Sequence, residues 1–204
     1  MDSALFNHAQ TLFGDKLQRQ QERAAARQAA ASAASAGSKR AQNAAPQPAI
    51  GLDLSVRQQR RLWRHVATLD NFWQSLREIE PGAVRRLAAV AAEQRWEVIF
   101  LTKRPASAGA TSQVQSQRWL VSKGFERPSV YVVQGSRGLI AAALDLDVVV
   151  DDRHENCYDV VVDSGARAVL VWRGGPQQFS AAAERLGVQV VRTVGQCLDT
   201  LIRP

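Results

Sequence analysis

The chain has 204 residues, enough for one domain of ordinary size plus an extension, and its composition is globular at 46% apolar and 22% charged. The only cysteines, Cys157 and Cys197, have no CxxC or Cys/His ligand spacing, which argues against a disulfide framework or a zinc site, and no run of 18 apolar residues predicts a membrane span. The net charge of +7 permits an anionic partner such as a phosphate, a nucleotide or a nucleic acid.

Residues 1–48 read as an Ala/Gln/Arg-rich extension and linker. Leu5, Phe6, Ala9, Leu12, Phe13 and Leu17 recur at helical spacing and predict one short amphipathic helix. Beyond Leu17 only alanine supplies apolar surface, and the segment dissolves into Ser, Gly and Pro, as linkers do. It carries six Lys/Arg against three Asp/Glu, so the basicity is not gathered in one arm. The N-terminus lacks a basic n-region and a continuous apolar stretch and makes a poor secretory signal. The two cysteines then read as small core residues in a reducing, cytoplasmic compartment.

Residues 49–204 read as an α/β domain. Residues 56–67 predict a helix with Val56, Leu62, Trp63 and Val66 inward, opened by a capping box of Ser55 and Gln58. A short aromatic segment covers 71–76, and residues 56–80 resemble a small cap. Pro81-Gly82 opens a helix through about Gln94, with Pro in the first turn and Val84, Leu87, Ala88 and Ala91 on one face. Strands at 97–101, 130–133, 148–150, 168–172 and 188–191 alternate with helices at 111–123, 137–144, 155–164, 179–186 and 195–202. Strands apolar on both faces and alternating with helices predict a parallel sheet covered on both sides, whose ligands bind at the carboxyl ends of the strands.

Three of those ends carry chemistry. Strand 97–101 runs into Thr102-Lys103-Arg104-Pro105, a hydroxyl and two cations suited to an anion, though a polar loop stopped by Pro reads equally well. Strand 130–133 runs into Gln134-Gly135-Ser136-Arg137-Gly138, where Arg137 could reach a ligand or merely begin a helix. Strand 148–150 ends in Asp151-Asp152. Two like charges 4 Å apart repel by about 4 kcal/mol at an effective dielectric near 20, and a divalent cation removes that repulsion. The plain alternative has Asp152 capping the next helix and Asp151 in solvent. Together the three ends outline a phosphate-and-metal site.

FLTKRP, the Arg137-Gly138 helix start and VVVDDRHENC resemble motifs II, III and IV of the haloacid dehalogenase superfamily. NFWQSLREIEPGAVRRL, with QRWL further on, resembles its 5'(3')-deoxyribonucleotidase-like branch, and the likeness covers about residues 60–173. It implies a Rossmann-like parallel sheet and Mg²⁺-dependent phosphoryl transfer through an aspartyl-phosphate. By position, Thr102 and Lys103 would serve the phosphate and Arg137 would take the place of the usual Lys. Asp151 and Asp152 would serve Mg²⁺, and Phe72 and Trp73 would belong to a small cap over the substrate.

Motif I departs from the pattern. Its only candidate is Ala49-Ile50-Gly51-Leu52-Asp53-Leu54-Ser55, with Asp53 as nucleophile and Ser55 where a second Asp is expected. A serine cannot replace a carboxylate as proton donor, and Ser55 already reads as a helix cap. The family's first strand lies between those bearing motifs II and IV, so either AIGLDL fills that slot or strands 97–101 and 147–151 pair directly. Three readings follow. The first is a degenerate relative that keeps the fold and a pocket for a small phosphorylated ligand; the second is an active Mg²⁺-dependent phosphatase using Asp53. The third is a basic nucleic-acid binder, for which no basic-aromatic stripe speaks.

Overall fold

The computed structural model describes residues 12–13, 54–174 and 185–202. The candidate motif I, with Asp53, lies outside them, as does most of the predicted N-terminal helix and of the helix at 179–186. The chain divides into two compact units, Met1–Arg77 with Ala106–Thr111, and Glu78–Pro105 with Ser112–Pro204.

The first unit is built on α1 (Val56–Thr68) and a 3-10 turn (Phe72–Gln74). The capping box forms as predicted: Ser55 accepts from the Gln58 backbone, and the Gln58 side chain accepts from the Ser55 backbone. Leu62 and Val66 are fully buried, whereas Val56, predicted inward, is 64% exposed. Six residues separate it from Leu62, which places it about a third of a turn off the buried stripe. Phe72 and Trp73 are buried and stack edge to face at 4.9 Å, with Trp63 at 6.4 Å from Trp73.

The second unit is α/β. Its elements are α2 (Ala83–Gln94), β1 (Ile99–Thr102), α3 (Ser112–Ser122), β2 (Ser129–Val132), α4 (Arg137–Ala143) and β3 (Val148–Asp151). They continue as α5 (His154–Asp163), β4 (Arg167–Val171), β5 (Gln189–Val191) and α6 (Val194–Ile202). Pro81 precedes α2 instead of sitting in its first turn. Gly82 is the N-cap in the left-handed region (φ 82°), and the Glu78 carboxylate accepts from the amides of Gly82 and Val84.

The strands form two parallel ladders, β1-β2 and β3-β4-β5. β4 is the best covered strand, and its alternation explains why. Ala168 and Leu170 point into a core with Ala141, Val149, Cys157 and Val160, while Val169 and Val171 point into a second with Val191 and Cys197. Each such side chain contributes about 1.5–3 kcal/mol by leaving water. β1, predicted as buried, is half-exposed along its whole length.

β1 and β3 do not pair, so the second of the two alternatives, direct pairing of these strands, does not hold. α4 packs on α5, which in turn packs on β3 and β4.

Candidate phosphate and metal site

Thr102 closes β1 half-buried, with its carbonyl accepting from the Val133 amide at 2.8 Å, and Lys103 beyond it is exposed. Arg104 is turned away onto α3. Its Nη1 donates to Ser116 Oγ at 2.7 Å, and its guanidinium lies 5.9 Å from the Trp119 ring centroid. Burial there pushes its pKa down to about 10. Of the two cations predicted after this strand, Lys103 alone is presented to solvent.

Arg137 is the first residue of α4 and is 4% exposed. The local sequence fixes it: Ser136 caps the helix, its Oγ accepting from the Gly138 amide at 3.1 Å and donating to Asp163 at 3.2 Å. Gly138 permits the close approach to α5, because a Cβ there would overlap the Asp159 carbonyl. Nε and Nη1 of Arg137 are buried with no hydrogen-bond partner, and the nearest carboxylate oxygen, Asp151 Oδ2, stands 4.0 Å from Nε. Burial pushes the Arg137 pKa down, and Asp151 partly offsets it. An unsatisfied buried group of this kind costs about 1–3 kcal/mol, and more when charged.

Asp151 and Asp152 exchange the places given them by the plain helix-capping alternative. Asp151 is mostly buried, and its carboxylate accepts from the Arg153 amide and from Asn156 Nδ2, both at 2.9 Å. Asp152 is exposed. Burial raises the Asp151 pKa and the Asp152 charge adds to it, outweighing the Arg153 and Asn156 hydrogen bonds and the Arg137 charge. Asn156 was missed in the sequence, where only its place five residues after Asp151 marks it.

Among the described residues no group of three or more His, Cys, Asp or Glu side chains gathers as a metal site. Mg²⁺ asks for less: one or two carboxylates, with phosphate and water oxygens completing six ligands. Asp151 and Asp152 meet that minimum, and the raised Asp151 pKa marks a carboxylate that a cation would relieve. Phe72 and Trp73, at 2% and 1% exposure, serve as packing side chains and leave little surface for a substrate. His154 begins α5 and rests half-buried against Tyr158, with ring centroids 5.6 Å apart. No family model, curated protein or solved structure matches this chain.

Proposed function

We propose that this chain is a haloacid dehalogenase-like, Rossmann-like protein that binds a small phosphomonoester with Mg²⁺ at the carboxyl ends of β1 and β3 and at the start of α4. The observation that carries this reading is Arg137, a buried guanidinium with two unpartnered nitrogens facing a carboxylate 4.0 Å away. A phosphoryl group would accept from those nitrogens. Thr102 would donate its hydroxyl to another phosphoryl oxygen, and Lys103 would add charge. Asp151 and Asp152 would hold Mg²⁺, which would supply positive charge to the phosphoryl oxygens. Asp53, which lies outside the described residues, is the candidate nucleophile of this reading.

Turnover is expected to be weak. Ser55 stands two residues after Asp53, where a carboxylic acid would protonate the leaving group, and its hydroxyl is engaged in the capping box of α1. The test is calorimetric titration with inorganic phosphate in Mg²⁺, beside a phosphomonoester hydrolysis panel for wild type and Asp53→Asn. Phosphate binding lost in Arg137→Ala supports the reading. Fast hydrolysis abolished by Asp53→Asn overturns its weak-turnover part, and absence of phosphate binding in the wild type overturns it altogether.

A further inference from the structure

The outer face of α1 is a stripe of arginine. Arg57, Arg60, Arg61 and Arg64 are all exposed. At 3.6 residues per turn they fall within about 100° of arc and span about 10 Å of the axis, on the side away from the buried Leu62 and Val66. Arg61 is steadied by Phe13, whose ring centroid lies 5.5 Å from the guanidinium. Among the described residues, Phe13, Ser55, Arg57, Gln58 and Arg61 line a hollow of about 320 Å³ at the start of the helix.

Nothing in the helix balances this charge. VRQQRRLWRHVAT holds no Asp or Glu. Arg57 and Arg61 are four residues apart, as are Arg60 and Arg64, and the pairs Arg57-Arg60 and Arg61-Arg64 are three apart. At both spacings like charges destabilise a helix. Arg57 also stands in the first turn, where the helix dipole disfavours a cation and no acidic residue offsets it. Among the described residues no carboxylate pairs with any of the four. A face that only has to be solvated intersperses both signs, whereas one that meets a polyanion carries a single sign.

We infer that this stripe is a docking face for the phosphate backbone of a nucleic-acid duplex, bound without regard to sequence. A guanidinium forks onto phosphate oxygens, and a duplex presents one negative charge per roughly 1.7 Å of its axis, so a stripe of this length meets several phosphates. The apolar face of α1 is already used, with Leu62 and Val66 fully buried, so the helix has none left to enter a lipid surface. A protein partner would ask for an apolar centre, and Val56 at the margin is the one exposed large apolar residue of the helix. Trp63 is half-buried, with its ring centroid 6.4 Å from that of Trp73, so no exposed ring stands ready to stack unpaired bases. Basic-aromatic interleaving serves single strands; a duplex backbone needs the charge alone, and phosphate contacts carry no sequence information. The stripe lies wholly in the first unit and is independent of the phosphomonoester site.

Fluorescence anisotropy of the full chain with labelled DNA duplexes of two unrelated sequences tests this. Four phosphate contacts give a slope of log K against log salt of about −3.6, so affinity should fall roughly 150-fold between about 50 and 200 mM salt, and equally for both sequences. Arg57→Gln with Arg61→Gln, and Arg60→Gln with Arg64→Gln, should each make the slope shallower by about 1.8. Arg118→Gln with Arg127→Gln removes the same charge from exposed positions of the second unit and should leave the slope as it was. Because the stripe substitutions relieve like-charge pairs, they should leave the thermal midpoint unchanged or raised. If a pair does not fold, its single substitutions carry the test, each with a slope shallower by about 0.9. Absence of duplex binding at low salt overturns the inference, as does a slope made equally shallow by the control pair. Binding to phosphatidylserine vesicles that the stripe variants lose, while duplex binding stays intact, overturns it as well.

Discussion

Asp151 carries opposing demands. Its side chain points into the protein, where burial and the neighbouring Asp152 raise its pKa against the pull of the Arg153 amide, Asn156 and Arg137. A carboxyl held above its ordinary value keeps its proton where the unfolded chain has already released it. The folded state then binds more protons, and stability falls as pH rises through that window. In metal-free protein, stability is therefore expected to fall as pH rises from below the ordinary Asp value, about 3.9, towards neutrality. Asp151→Asn should flatten that slope, and Mg²⁺ should flatten it in the wild type only. Urea unfolding across that pH range checks this, and parallel slopes for wild type and variant would sink it. The inward placement of Asp151 follows from strand parity, which three consecutive valines do not reveal in the sequence. Val149 is 8% exposed and Val150 44%, so the next residue faces in and the one after it leaves the strand. Reading DD as a charge pair alone hid this, because capping and metal binding both use carboxylates at a strand end.

At the scale of elements, most helix and strand positions followed from period and caps, while the ties between elements did not. Glu80 is the clearest case. Its carboxylate accepts from the amides of Val194 and Gly195 at the start of α6, 114 and 115 residues away, and from Arg173 at 2.5 Å. Nothing local in EIEPGA reveals a partner so distant; the same stretch does show a helix start, which Glu78 serves. Burial by itself would raise the Glu80 pKa, but the hydrogen bonds from Val194, Arg173 and Gly195 together hold it below the ordinary carboxylate value. Stability from a depressed carboxyl is present above the unfolded pKa, about 4.3, and is lost as pH falls through the lower folded value. Glu80→Gln is expected to cost about 1–2 kcal/mol at neutral pH, the range of a lost helix cap with its ion pair. Denaturation midpoints should converge between wild type and variant as pH falls through that lower folded value; a gap that persists below it would show that the loss is one of packing. Gly138→Ala tests the α4-α5 contact in the same assay. The opposing atom is the Asp159 carbonyl, which cannot rotate away, so a loss of about 3 kcal/mol is expected, at the upper end for overpacking. A loss under about 1 kcal/mol, the lower end of that range, would mean that the helices can separate there.

At the scale of the whole molecule, the strand text predicted one parallel sheet, and the described strands form two separate ladders, β1-β2 and β3-β4-β5. Period and apolarity identify strands, but they do not say which strand lies beside which. The partial exposure of every β1 residue and the 44% exposure of Val150 set these strands apart from β4, since a central strand of a doubly covered sheet buries both faces. Each of β1 and β3 also has one edge that no described strand pairs, and unpaired strand edges are costly to bury and prone to aggregate. The amides on those open edges of β1 and β3 are expected to exchange faster than the amides of β4, which has a strand on each side. Hydrogen exchange followed by NMR checks this, and equal protection of the three strands would show that the open edges are covered.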